Sequence, residues 1–246
     1  MSRFYAPKEN IGEKDILIDG NEAHHILDVM RLVESDKVVV FDGTGAEYTG
    51  FIKTVDERAK RLIVEIIKME KPLPDKMPDV TLAQSVPKKN KMDLIVEKAT
   101  ELGVSHMIPL VTARTIVRPD EGSSKRKEER WRKIAVEAAK QCGRTNVPEI
   151  AATVLYNDLV ADLARYDVIL LAYLGPDTIP LRQAIEDIGK GSILVLVGPE
   201  GDFTQDEITA ALCNEHCRSV SLGPRVLKSD TAALFILSAI GCRYSI

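Results

Sequence analysis

Leu194–Glu207 reads LVLVGPEGDFTQDE, and its counterpart Val220–Thr231 reads VSLGPRVLKSDT. In each, a short apolar run stops at Gly-Pro and a helix start follows within a few residues. A third stretch, Val168–Pro176 (VILLAYLGP), ends the same way. Open α/β sheets bind small molecules outside the carboxyl ends of their strands, where glycine lets a ligand approach the backbone. The three stretches therefore predict three strands whose ends form ligand loops.

The composition of the first loop narrows that ligand. A glycine-rich loop ahead of a helix commonly cradles phosphate through its N–H groups and the positive helix end. Here the loop carries Glu200 and Asp202, whose charge would repel phosphate. A neutral or cationic group is expected instead, such as an adenosine with a positively charged tail; a plain turn with two solvated acids is the competing reading. Thr204 and Glu207 make a T-x-x-E capping box, and Phe203 is placed to staple onto Ile208. Ala232–Ile240 is apolar nearly all round, which predicts a helix buried on most sides; packing against a second subunit would account for it.

From Val80 onward strands alternate with helices, the pattern of a parallel sheet. Strands are expected at Val80–Ser85, His106–Leu110, Val168–Leu174, Ser192–Val197 and Ser219–Leu222. Asn90 caps a helix with Met92, Ile95, Val96, Ala99 and Leu102 on one face and Gly103 at its end. A second helix, Lys125–Cys142, turns Trp131, Ile134, Ala135, Ala138 and Cys142 inward and Arg130, Lys133, Glu137 and Lys140 outward, with Arg144 just beyond. Asp158–Tyr166 and Leu181–Ile188 read as shorter helices. Ahead of this region Glu70–Asp79 (EKPLPDKMPD) sets three prolines among charges, which marks a linker at 71–79.

Residues 1–70 read mostly as strand: Ile16–Ile18, Lys37–Asp42, Tyr48–Val55 and Arg61–Lys68, with a helix over Asn21–Leu32 capped by Asn21. The element after Gly43-Thr-Gly45 is another strand, so a hairpin is expected there and not a dinucleotide loop. A small β-barrel fits the segment. His24 and His25, adjacent on a helix, point about 100° apart and do not chelate one ion. Either their rings pack at the domain surface or, with Arg31, they contact nucleic acid.

At 246 residues, 45% hydrophobic and 28% charged, the chain has the composition of a soluble globular protein with one large or two modest domains. Met1–Asn10 lacks the apolar stretch of a signal peptide and no segment is greasy enough to span a bilayer, so a cytoplasmic, membrane-free protein is expected. Four cysteines at irregular spacing do not suggest a disulfide framework. Cys213, His216 and Cys217 fall short of the four ligands of structural zinc, so no metal is expected and half-buried helix positions are. The net charge of −4 speaks against indiscriminate nucleic-acid binding, and DNA is not an expected partner. Yet Arg114–Arg144 holds ten Lys/Arg against five Asp/Glu, near +5, leaving the remainder near −9. Such a stretch is either a solvated helix face or an RNA-binding one.

GPEGDFT (198–204), followed by LGPRVLKSDTAAL (222–234), resembles the RsmE family of the SPOUT superfamily, methyltransferases that modify N3 of a uridine in small-subunit (16S) ribosomal RNA. SRFY (2–5), HHILDVMR (24–31) with FDGTG (41–45), KMDLIVEKATELGV (91–104) and EAAKQCGR-x-x-VPEI (137–150) look like that family's segments in its order, so the resemblance spans the chain. It implies a SPOUT-type α/β domain over 80–246, its chain end threaded as a trefoil knot, and a PUA-like RNA-binding β-barrel over 1–70. It also implies S-adenosyl-L-methionine held in the knot loops of a homodimer, with 16S ribosomal RNA, naked or in the assembled subunit, as partner. By motif match Leu174, Gly175, Val197, Gly198, Pro199, Glu200, Gly201, Leu222, Gly223, Val226 and Leu227 would line the cofactor. A sulfonium agrees with the acidic loop.

Uridine N3 carries a proton, so such a site must remove it and stabilise the resulting anion. Arg144, Arg225 and Lys228 are the cations expected to do so, beside Arg114 and Arg3, with Glu200 or a water as the base. RNA contacts are expected from Arg3, His25, Arg31, Lys88, Arg114 and Arg144. The chain departs from the family where Asp202 replaces a common Gly and Lys228-Ser229-Asp230 replaces Arg-Thr-Glu; lysine lacks arginine's planar fork. Two other readings stand: a methyltransferase of the same superfamily acting on another RNA such as tRNA, and a non-catalytic RNA-binding ribosome-assembly factor.

Overall fold

A computed structural model describes residues 3–72, 77–116 and 121–244. The chain forms two compact units, Met1–Asp75 with Ala139–Val147, and Lys76–Ala138 with Pro148–Ile246. Of the predicted linker at 71–79, residues 73–76 lie outside the described residues.

The first unit holds β1 (Arg3–Tyr5), β2 (Asp15–Asp19), α1 (Gly20–His24), β3 (Lys37–Phe41), β4 (Glu47–Asp56) and β5 (Arg61–Glu70). Its sheet has the order β1-β3-β4-β5-β2, with β1 parallel to β3 and the other pairs antiparallel. Alternation along the strands sends Phe4, Ile16, Ile18, Val38, Val40, Leu62 and Val64 into one core. Among the described residues no ladder joins β1 to β2, so the sheet is hydrogen-bonded as an open path and not as a closed barrel. The β4–β5 register shifts at Thr49/Gly50 and at Ile52/Thr54. A Cβ on Gly50 would lie 2.3 Å from the Glu65 carbonyl oxygen, so glycine is required for the strands to approach there.

Two expectations are corrected here. The predicted helix over Asn21–Leu32 is a single α-turn followed by a π-turn at His25–Val29, and Asp19, not Asn21, is its N-cap residue, without a side-chain cap. Lys140, expected on the solvated face of its helix, is 11% exposed and pairs with Glu22 at 2.6 Å. The covering element is invisible to helical periodicity because it lies more than a hundred residues away in the chain.

The hairpin at Gly43-Thr-Gly45 joins β3 to β4 as expected, its turn held by the Asp42 carboxylate, which accepts from the N–H groups of Thr44 and Ala46. It is also clasped by the Ala139–Val147 segment. Gly45 N–H donates to the Thr145 carbonyl, Val147 N–H donates to that of Gly43, and a Cβ on Gly45 would meet Asn146 Oδ1 at 2.8 Å.

The second unit is built on β6 (Asp79–Ser85), α2 (Lys91–Glu101), β7 (His106–Val111), α3 (Glu121–Cys142), β8 (Glu149–Ile150), β9 (Val154–Leu155), α4 (Tyr156–Val160), β10 (Val168–Ala172), β11 (Ile179–Pro180), α5 (Leu181–Glu186), β12 (Ser192–Val197), α6 (Gln205–Leu212), β13 (Cys217–Ser221) and α7 (Ser229–Tyr244); the last turn of α3 falls in the first unit. The sheet is parallel throughout, in the order β11-β13-β10-β12-β6-β7-β8, with β9 also on β7. β12 is central, and Ile193–Val197 are all buried, which is why its sequence reads as an uninterrupted apolar run.

The five expected strands are present, and β8, β9 and β11, two residues each, are the ones sequence patterning missed. The segment read as a helix over Asp158–Tyr166 divides into α4 and a 3-10 turn at Leu163–Arg165. Cys142 is exposed, not inward. Cys213 and His216 are exposed loop residues, and Cys217 opens β13, where burial pushes its thiol up to about 12. No helix of the described residues is long and apolar enough to cross a membrane.

Candidate active site

The order β13-β10-β12 makes the three Gly-Pro strands neighbours, so their carboxyl ends meet. A cavity of ≈ 380 Å3 opens there. Its wall includes the ends of the strands, Ala172, Val197 and Ser221, and the loop residues beyond each. This is the crevice at strand ends that open parallel sheets use for ligands.

The loop after β12 is folded over an aromatic ring. Phe203 is 2% exposed, and a Cβ on Gly198 would meet its ring at 3.1 Å, so glycine lets the backbone lie flat on it. The capping box predicted for α6 is present: Thr204 Oγ1 accepts from Glu207 N–H, and Glu207 accepts from Thr204 N–H. The buried Glu207 carboxylate has a second task, since its Oε1 accepts from Ala113 N–H at 2.7 Å. Tyr156 donates its hydroxyl to the Glu207 carbonyl, and burial raises its pKa.

Asp202 explains the chain's departure from glycine at that position. Its φ is +61°, a left-handed conformation that glycine adopts freely and Asp and Asn tolerate better than other residues. The carboxylate then does what glycine could not. Oδ2 accepts from Leu174 N–H and Oδ1 from Phe203 N–H, each at 2.8 Å, which ties the loop after β10 to the loop after β12. Tyr173, on the same wall, has its pKa raised by burial and by Asp177 and Asp202.

Of the residues matched by motif, Leu174, Gly175, Val197, Gly198, Pro199, Glu200, Leu222, Gly223, Val226 and Leu227 line the cavity, as do Arg225 and Lys228. Gly201 does not; its carbonyl is turned to Arg114, whose guanidinium donates to it at 2.6 Å and to the Phe203 carbonyl at 3.2 Å. Arg114 thus braces the loop through two of its carbonyls. Arg225 and Lys228 are exposed and make no ion pair among the described residues. Lys88 is exposed on the loop ahead of α2.

The remaining expected residues belong to the first unit. Arg3 donates to Glu47, stacks on Phe41 at 4.8 Å and reaches the Arg144 carbonyl at 3.4 Å, so much of its guanidinium is engaged within the fold. Arg144 is half-buried and Arg31 is exposed at a φ of +56°. His25 packs edge-on to Phe4 at 5.9 Å, the ring-packing alternative, while His24 pairs with Asp28 at 2.5 Å.

Two features escaped sequence reading. Gln84, fully buried at the end of β6, donates to Ser229 Oγ, which donates to the Gly198 carbonyl, each at 2.7 Å. Lys91 stands with its Nζ 3.8 Å from Glu200 and 3.5 Å from Asp230. Neither residue lies near the Gly-Pro loops in sequence, and only the parallel arrangement of β6 beside β12 brings them there.

The cavity offers apolar side chains (Leu174, Val226, Leu227), exposed backbone groups, the Glu200 and Asp202 carboxylates and the cations Arg225 and Lys228. Apolar walls with a carboxylate at Glu200 can hold a flat heterocycle joined to a cationic centre.

Comparison with known proteins gives the same direction. Residues 74–241 match the RNA methyltransferase domain family, and residues 18–66 match the RNA methyltransferase PUA domain. The ribosomal RNA small subunit methyltransferase E of Bacillus subtilis is 34% identical, with 98% of this chain and 96% of that protein covered. A putative methyltransferase from Legionella pneumophila, solved with bound S-adenosylmethionine, superposes with a TM-score of 0.87 at 27% identity, covering 98% of this chain and 97% of that one. The ribosomal RNA small subunit methyltransferase E of Neisseria gonorrhoeae, bound to S-adenosyl methionine, gives 0.85 at 27% identity, covering 99% and 98%. With strand-end loops, a cavity between them and a family match over both parts of the chain, this protein belongs to the RNA methyltransferase family that carries an N-terminal PUA domain.

Proposed function

We infer that the chain is an S-adenosyl-L-methionine-dependent methyltransferase of 16S ribosomal RNA and that its target atom is N3 of a uridine. The observation that carries this reading is the convergence of three Gly-Pro loops on one cavity that holds both carboxylates, at Glu200 and Asp202, and cations, at Arg225 and Lys228. The cofactor, when bound, supplies an electrophilic methyl group on a cationic sulfur. The chain's own residues then have to orient the base, take its proton and balance the charge that forms. Arg225 and Lys228, exposed on the cavity wall, are assigned the negative charge on the uracil oxygens; Glu200 or a water takes the N3 proton. RNA is held by Arg31, Arg144 and Lys88, with Arg3 fixing the Arg144 backbone. The target base is presented out of its stack, since a paired uridine hides N3.

The same reading includes a trefoil knot, a homodimer and a cytoplasmic site of action. The knot would be formed by the segment after β13, which lies between β10 and β11 in the sheet. α2 and α7 pack side by side, and between them leave Leu94 and Phe235 exposed, at 44% and 47%; a second copy would cover these rings and chains. The purified protein should then sediment at twice its 27.2 kDa.

Nucleoside mass spectrometry tests the activity. 16S ribosomal RNA from cells lacking the gene should lose 3-methyluridine and regain it when the gene is restored. Loss of a different methylated nucleoside, or of one from tRNA, would transfer the activity to another target.

The Asp202 tie makes a second expectation. Asp202→Ala combines a left-handed alanine with loss of the Leu174 contact and should weaken cofactor binding roughly tenfold by calorimetry. Asp202→Gly, which relieves the backbone but still lacks the tie, should fall between the two proteins. Equal affinities in all three would remove Asp202 from any part in shaping the cavity.

A further inference from the structure

We propose that Lys91 sets the charge of the cofactor cavity, and that through Glu200 it determines how strongly the cavity prefers the sulfonium cofactor over its neutral thioether product. The inference rests on the cofactor assignment above.

Lys91 is the first residue of α2, where the helix already presents its positive end and a further cation is locally unfavourable. Its side chain is 34% exposed and stands between two carboxylates, Glu200 in the loop after β12 and Asp230 in the first turn of α7. At 3.8 Å from Glu200 and 3.5 Å from Asp230, it makes a close hydrogen bond to neither. Asp230 Oδ1 is buried and has no hydrogen-bond partner among the described residues, so the Lys91 charge is its compensation. Glu200 lines the cavity. One ammonium group therefore offsets Glu200, which lines the cavity, and Asp230, which does not; among the described residues, Arg225 and Lys228 on the cavity wall make no ion pair with either.

That arrangement bears on catalysis. Methyl transfer turns a cationic sulfur into a neutral one. A wall with uncompensated carboxylates would hold the cationic reactant more tightly than the transition state, in which that charge is being dispersed, and binding of that kind does not speed the reaction. Lys91 moderates it. Cofactor and product differ by one charge and one methyl group, so the ratio of their affinities reads the local potential directly.

The test is calorimetry of S-adenosylmethionine and S-adenosylhomocysteine on the full chain, its Lys91→Met variant and its Lys91→Arg variant. Lys91→Met should raise the ratio of product Kd to cofactor Kd roughly fivefold, and Lys91→Arg should leave it near the native value. In single turnover on ribosomal RNA, Lys91→Met should be slower although its cofactor binds at least as tightly. A purely structural role would move both Kd values together, and an unchanged ratio in Lys91→Met overturns the proposal while leaving the cofactor assignment intact. If the native chain binds neither molecule, the cofactor assignment itself fails, and the role of Lys91 with it.

Discussion

Replacing Glu207 with alanine is expected to lower stability by about 3 kcal/mol, the sum of a lost helix cap and a buried N–H left without its acceptor. The size follows from the two ends of one carboxylate. Oε2 completes the capping box with Thr204, and Oε1 accepts from Ala113 N–H across from the loop after β7. Glu207 is 8% exposed, so water does not readily replace either contact. Glu207→Gln keeps the shape and one acceptor, and should lose about 1 kcal/mol. Urea unfolding of the three proteins measures both numbers. If Glu207→Ala unfolds within 1 kcal/mol of the native chain, the carboxylate is not the anchor of this loop. Because Arg114 grips the same loop from outside, cofactor affinity should also drop in Glu207→Ala, by less than it would if the brace were absent.

Gly50→Ala should have an effect of similar size in the other unit. The added Cβ would stand 2.3 Å from a backbone oxygen and 2.7 Å from Val64 Cγ1, and backbone cannot swing aside as a side-chain tip can. Opening β4 from β5 there disturbs the longest ladder of the sheet, beside a register shift. A loss of about 3 kcal/mol is expected, visible as early melting of the first unit's amide protons in hydrogen exchange. Amides of β10 and β12 should keep their native protection. Uniform loss across both units would contradict that separation, and native protection throughout would mean the strands yield more easily than the geometry allows.

Much of the second unit was legible because its physics is local. A strand buried on both faces must be apolar throughout, so β6, β10 and β12 stand out, and Gly-Pro places the ends of β10 and β12 to within two residues. The capping box could be read because its four residues are consecutive. Lys140, Lys91 and Gln84 could not be placed, since each owes its role to a partner more than a hundred residues distant: Glu22, Glu200 and Ser229. The carbonyl partners of Arg114, Gly201 and Phe203, lie more than eighty residues away in the chain and are hidden from sequence for the same reason. Two-residue strands such as β8 and β9 have no period to detect. Asp202 had been only a departure from a pattern; its positive φ and its two N–H partners give it a structural reason.

The clasp of Thr145–Val147 on the Gly43–Gly45 turn bears on how the protein can be dissected. A fragment ending near residue 75 would carry every strand of the first sheet yet lack the segment that takes Gly45 N–H, donates to Gly43 and pairs Lys140 with Glu22. Its glutamate would be left without its ammonium and its turn open to solvent. Anyone wishing to study the N-terminal part alone would do better to add residues 139–147 as a tethered peptide than to cut at the proline-rich boundary.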